Sequence, residues 1–148
     1  MDGIVIWRQR EQADQLRDMY EAYAFCIWDG GLLPSEAEWN YAAAGGGGSG
    51  GQDAYPWSSP STSTTLDCAH ANYGGSNPPS TACVAAGANN VGAESPKGDG
   101  AFGQTVLAGN VWEWNLDWYA MPYVNPCADC ADLAPASNRV FRGGAFSS

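Results

Sequence analysis

Gly109-Asn110-Val111-Trp112-Glu113-Trp114, followed beyond Asn115 by Leu116-Asp117-Trp118-Tyr119, sets three tryptophans around one carboxylate within seven residues. Each indole buries roughly 150–250 Å² and carries an N–H that seeks an acceptor, so this clustering predicts a rigid, polar-tipped wall. Glu113 lies between two of the indoles, and a carboxylate there is costly to bury unless something neutralises it. A hard cation such as calcium has the right chemistry. The other reading is a metal-free turn whose backbone N–H groups bond the carboxylate.

Working outward, the chain of 148 residues suits one domain that buries about two-thirds of its extended surface. Its 19 glycines and 9 prolines, with few Leu, Ile and Val, predict a loop-rich fold held by aromatic packing, turns and metal or disulfides. A formal charge of −10 with six Lys plus Arg repels phosphate backbones and anionic lipid, which argues against nucleic-acid partners. No stretch approaches the roughly 20 apolar residues of a transmembrane helix, so no membrane span is expected. Met1 to Arg8 shows neither a basic n-region nor an apolar core, so a secretion signal is not visible in this chain.

Cys26, Cys68, Cys83, Cys127 and Cys130 form an odd set in an acidic, glycine-rich chain, a combination that points to an extracytoplasmic, periplasmic or secreted setting. Cys68 with Cys83 and Cys127 with Cys130 are the expected pairs. The first contributes about 3 kcal/mol on the loop-entropy model. Buried free thiols in a cytosolic protein are the alternative.

From about Ala13 to Trp28, Leu16, Tyr20, Tyr23, Ala24 and Ile27 recur on one helical face, and Asp29-Gly30-Gly31 ends the helix. Ser35 and Glu38 form a capping box that opens a second short helix ending at Gly45. Gly45 to Gly51 reads as a flexible linker and Ser58 to Thr65 as a surface loop. Asp67 to Gly103 shows no helical period. Val111 to Trp118 reads as a strand with Trp112 and Trp114 on one face, and Arg139 to Phe146 as a strand broken at Gly143-Gly144.

In order, Trp28-Asp29-Gly30-Gly31-Leu32-Leu33-Pro34-Ser35-Glu36-Ala37-Glu38-Trp39-Asn40-Tyr41-Ala42, Tyr55-Pro56-Trp57, Ala71-Asn72-Tyr73, the Gly109 to Trp114 run and Arg139-Val140-Phe141-Arg142-Gly143-Gly144 resemble the formylglycine-generating enzyme family, the sulfatase-modifying factor domains. The resemblance assigns residues 17–148 to that domain and leaves 1–16 unassigned. Glu94 to Gly100 resembles the extracytoplasmic bacterial branch seen in myxobacteria. It implies an α+β fold, a variant of the C-type lectin fold with little regular structure and bound calcium.

Catalytic members oxidise a sulfatase cysteine to formylglycine with oxygen and a copper(I) ion held by two thiolates, soft ligands suited to that ion. In this register Ala145 stands where those members carry an active-site serine, and Ser148 stands at the first copper cysteine. The second cysteine lies beyond the end, so the domain is expected to be C-terminally truncated and copper unlikely to be held by this chain. Trp112 matches the pocket wall. The resemblance also implies calcium on the carbonyls of Leu107, Gly109 and Val111 with the Glu113 carboxylate, weakened because Val106 replaces an Asn or Asp ligand. Asn72 and the Tyr73 carbonyl would serve a second calcium, whose acidic ligand has no assigned position between Gly74 and Gly100. Cys26 would pair with a cysteine in a segment that this chain lacks; a small buried hydrophobe is its other reading.

The Cys127-Ala128-Asp129-Cys130 spacing lacks the four ligands of a zinc site and the strand–helix setting of a redox site. His70 has no nucleophile elbow to serve and reads as a loop residue. Asp117, Asp129 and Asp132 read as solvated surface. Three functions compete: a non-catalytic extracytoplasmic module binding a peptide, protein or glycan; a copper-dependent formylglycine-generating oxidase with catalytic residues outside this chain; and a degraded gene fragment.

Overall fold

Two short helices and one two-stranded antiparallel sheet supply the regular structure in a computed structural model that describes residues 18–47, 51–74, 83, 87–123 and 130–147. Helix α1 spans Met19–Trp28, α2 spans Glu36–Ala43, a 3-10 turn covers Gly45–Gly47, and strands β1 and β2 span Glu113–Trp118 and Arg139–Arg142.

Asp18 starts α1: its Oδ1 accepts from the backbone N–H of Tyr20 at 2.8 Å and of Glu21 at 2.9 Å, filling two of the donors a helix start leaves open. Gly30, at φ +81°, reverses the chain, and Gly31 N–H closes the helix on the Cys26 carbonyl at 2.8 Å. The inward stripe of α1 is Met19, Ala22 and Cys26, packed with Leu33 and half-buried Trp114. This corrects the expected face: Tyr20, Tyr23, Ala24 and Ile27 are exposed, and Leu16 lies outside the described residues. The two stripes are about 120° apart at 100° per residue. Both have helical spacing, so the partner surface, not the period, decides which one turns inward.

Helix α2 opens with the expected capping box. Ser35 Oγ accepts from Glu38 N–H at 3.2 Å and Glu38 Oε2 accepts from Ser35 N–H at 2.8 Å. The helix gives way at Gly45, φ +80°. The expected linker is ordered in its first part, because Gly46 packs against the Phe102 ring, which stacks on Tyr41 at 5.6 Å. Residues 48–50 lie outside the described set.

The strands pair in register Glu113↔Arg142, Trp114↔Phe141 and Trp118↔Arg139, with an irregularity between Trp114 and Trp118. Along β1 the buried positions are Glu113, Asn115 and Asp117, while Trp114, Leu116 and Trp118 are half-buried. The side of the strand opposite the tryptophans therefore faces inward and is polar. Asp117 corrects the expectation of solvated surface. It is 1% exposed, and its Oδ2 accepts from Glu36 N–H at 2.7 Å while its Oδ1 accepts from Asp132 N–H at 2.8 Å. Asp132 is half-buried and Asp129 lies outside the described residues. Arg139 donates to the Leu116 carbonyl at 2.8 Å and lays its guanidinium 3.7 Å from the Trp118 ring centre, a cation–π contact that accounts for the outer face of that indole.

Between Asp67 and Gly103 the described residues form turns and no helix or strand, as the missing period implied. Cys68 and Cys83 are disulfide-bonded with Cα atoms 5.1 Å apart. Cys130 is also disulfide-bonded, while its expected partner, Cys127, lies outside the described residues. Cys26 is a buried free thiol whose burial raises its pKa. Among the described residues no helix is long and apolar enough to cross a membrane.

Candidate functional site

Glu113 opens β1 and is buried. Its Oε2 accepts from the indole N–H of Trp39 on α2, so the donor that finds this carboxylate is a side chain and not the turn backbone. Arg142 stands directly across the ladder but makes its ion pair with Glu36. Among the described residues Glu113 therefore has no ion-pair partner, and desolvation pushes its pKa up to about 7, with the Trp39 bond opposing.

Two of the expected carbonyl ligands border the same space. A Cβ built on Gly143 would stand 3.4 Å from the Leu107 oxygen, 3.7 Å from the Val111 oxygen and 3.7 Å from Trp39 Cζ2. Gly109 lies beside them at φ +78°, its N–H donating to the Gly143 carbonyl at 2.7 Å. No three His, Cys, Asp or Glu side chains gather among the described residues, so a cation here would rest on carbonyl oxygens and the single carboxylate of Glu113. Carbonyls with one buried, unpaired carboxylate are a donor set that fits a hard ion of calcium type. Val106 supplies no side-chain oxygen. It sits at φ +66°, a left-handed conformation that Asn or Asp tolerates and a β-branched residue resists.

Asn110, at φ +64° and wholly buried, ties this turn to the rest. Its N–H donates to the Asn72 carbonyl at 2.6 Å, its carbonyl accepts from Phe146 N–H at 2.9 Å, and its Nδ2 donates to the Asn89 carbonyl at 3.2 Å. Its Oδ1 accepts from Asn89 N–H at 2.8 Å and from Asn72 Nδ2 at 3.2 Å. Asn72 also donates to the Gly87 carbonyl at 3.1 Å, yet its own Oδ1 is buried without a hydrogen-bond partner. A bare acceptor in the interior suits an electropositive guest. The Tyr73 carbonyl already accepts from Cys83 N–H at 3.0 Å.

The segment after β2 lies against this turn. Ala145 is buried, and Ser148 lies outside the described residues. The free thiol, Cys26, belongs to the α1 core and not to this segment. The donors described here do not fit copper(I), which needs soft sulfur. Trp112, 49% exposed, meets Phe141 edge-on at 5.0 Å, and Phe141 meets Trp114 at 5.5 Å. These rings form an outer aromatic surface on the same β1–β2 edge. His70 is a loop residue stacked on Trp57 at 5.2 Å, its Nδ1 held 2.7 Å from Asp67 Oδ1. That contact lowers the Asp67 pKa.

Sequence reading missed Trp39 as the partner of Glu113 and Asn110 as the residue that joins three loops. The available signals were the indole in the second helix and an asparagine beside glycine, a pair suited to left-handed turns.

Comparison with known proteins identifies the family. Residues 17–148 match the sulfatase-modifying factor enzyme 1-like domain, and the chain belongs to that family. It is 31% identical over 144 aligned positions to the formylglycine-generating enzyme of Thermomonospora curvata, covering 85% of this chain and 42% of that protein. It is 37% identical over 95 positions to the hercynine oxygenase of Mycolicibacterium smegmatis, covering 64% of this chain and 19% of that protein. Among solved structures, Treponema denticola variable protein 1 superposes with a TM-score of 0.54 at 29% identity, over 78% of this chain and 36% of that one. The chain thus spans less than half the length of the proteins it resembles.

Proposed function

We propose that this chain is a non-catalytic, extracytoplasmic binding module of its family, built on a C-type-lectin-like variant fold and braced by calcium. Leu107, Gly109, Val111 and Glu113 would hold one ion, and Asn72 with the Tyr73 carbonyl would contribute to a second. The exposed Trp112–Phe141 surface offers the kind of face that stacks on a glycan or a peptide side chain. The Cys68–Cys83 disulfide supports an oxidising compartment.

The observation that carries this reading is a contrast within one region. The Leu107 and Val111 carbonyl oxygens border one space beside Trp39, whose indole bonds Glu113, while the position of the family's active-site serine holds buried Ala145. The test pairs two measurements on the purified chain. Calcium should raise the melting temperature and change tryptophan fluorescence, and a sulfatase-derived cysteine peptide with copper and oxygen should yield no aldehyde. Aldehyde formation would overturn the non-catalytic reading, and indifference to calcium and chelator would remove the metal.

A second reading is supported by the 31% identity to a formylglycine-generating enzyme across 85% of this chain. Here the chain is the front part of an oxidase whose copper-binding residues lie outside it. Two cysteines a few residues apart in a continuing coding sequence would favour that reading.

A further inference from the structure

We propose that Ser59, Thr62 and Thr64 are acceptors of O-linked sugar. The inference rests on the extracytoplasmic reading above and gives a role to the loop between Trp57 and Leu66, which the candidate site leaves unused.

The loop reads Ser58-Ser59-Pro60-Ser61-Thr62-Ser63-Thr64-Thr65, seven hydroxyls and one proline in eight positions, with no charge. Segments of this composition carry O-linked sugar in exported proteins, because Ser, Thr and Pro offer no apolar face to bury and leave their hydroxyls in water.

The structure divides the hydroxyls into two sets. Ser58 Oγ accepts from Tyr55 N–H at 2.9 Å and donates to the Ser63 carbonyl at 2.6 Å, while Ser63 Oγ donates to Thr65 Oγ1 at 3.3 Å. Ser61 is half-buried and also engaged. Main-chain bonds complete the hold: Ala54 N–H donates to the Ser61 carbonyl at 2.8 Å, Ser63 N–H to the Pro60 carbonyl at 2.8 Å, and the Trp57 indole N–H to the Thr65 carbonyl at 3.2 Å. Ser59, Thr62 and Thr64 form the second set. They are exposed, and their hydroxyls make no hydrogen bond with the described residues. The loop is tied at its base and bare at its crest.

Sugar suits these hydroxyls better than phosphate. No Lys or Arg lies between Arg17 and Lys97, so a phosphate here would add to a formal charge of −10 with no basic partner in its own stretch. A neutral sugar adds no charge. In the transfer, the Ser or Thr oxygen bonds the anomeric carbon of a nucleotide- or lipid-linked sugar phosphate. The bond from that carbon to the phosphate oxygen breaks, the phosphate leaves, and the hydroxyl proton passes to the transferase.

Mass spectrometry of the chain, purified from its own organism without reductant, tests this. Chymotrypsin cuts after Trp57 and Leu66 and releases the loop as one peptide. Sugar-type mass increments are expected on Ser59, Thr62 or Thr64, and the variant combining Ser59→Ala, Thr62→Ala and Thr64→Ala should lose them entirely. Those substitutions break no hydrogen bond of the loop, so the variant should keep the parent's melting temperature. Sugar confined to Ser58 or Ser63 overturns the assignment, and so do phosphate-type increments. A bare loop in a chain with its Cys68–Cys83 disulfide intact overturns it too, while the extracytoplasmic reading stands. A bare loop with Cys68 and Cys83 recovered as thiols sinks both.

Discussion

The interior around α1 and the interior around the start of β1 are built from opposite materials. Met19, Ala22, Cys26 and Leu33, with Trp114 against them, form a small apolar cluster. Across the fold, Asn72, Asn110, Asn115 and Asp117 are among the largest fully buried side chains. An apolar cluster accepts any filling of the right volume. A polar interior accepts only groups whose donors and acceptors match, so it specifies one arrangement and penalises departures from it. In a loop-rich chain, the second kind of interior does work that long helices do elsewhere.

Removing the most connected polar residue should break this contrast most visibly. Asn110→Ala strands Asn89 N–H, the Asn89 carbonyl and the Asn72 amide, and should cost about 4 kcal/mol in urea unfolding. A loss below about 1 kcal/mol would mean that the asparagine network is ornamental.

The pH dependence of the metal-free protein comes next. The folded state holds the Glu113 proton up to about pH 7, whereas the unfolded chain releases it near the ordinary value of 4.5. Stability therefore falls as pH rises through that window, by about 3 kcal/mol. Unfolding in chelator at pH 4.5 and 7.5, with and without Glu113→Gln, measures the fall, and the Gln variant should flatten it.

On the apolar side, Leu33→Ala should cost about 2 kcal/mol, because the small cluster leaves its cavity close to surfaces able to relax. Val106→Asn should gain about 1 kcal/mol by relieving a β-branched residue at positive φ, and should tighten calcium binding at the Glu113 turn. Tyr20→Ser, on the outward face of α1, should change thermal stability by less than about 0.5 kcal/mol. A larger loss would show that this face is covered in solution.

What the sequence revealed was what neighbouring residues decide among themselves. The Ser35–Glu38 box and the Gly30 reversal are local, and each stands where the pattern put it, while the strand expected from Arg139 to Phe146 ends at Arg142, before the glycine pair. The inward face of α1 was not legible, because Met19–Ala22–Cys26 and Tyr20–Tyr23–Ile27 are both helical stripes and the choice belongs to Leu33 and Trp114. Asp117 was read as surface for a related reason. Its hydrogen-bond partner is the backbone of Glu36, and no local pattern announces so distant a contact. At the candidate site, Glu113 drew notice through its tryptophans, but its bond to Trp39 and the joining of Asn72 to Asn89 through Asn110 depend on chain crossings that spacing does not encode.

The bond from Glu36 N–H to Asp117 also fixes an order of events during synthesis. Its ends are 81 residues apart, so the first turn of α2 waits for β1 before that donor is satisfied. At a translation rate of about 5–20 residues per second, the wait is on the order of ten seconds. Until then α2 has its own Ser35–Glu38 cap to hold it, with the Glu36 N–H left to water.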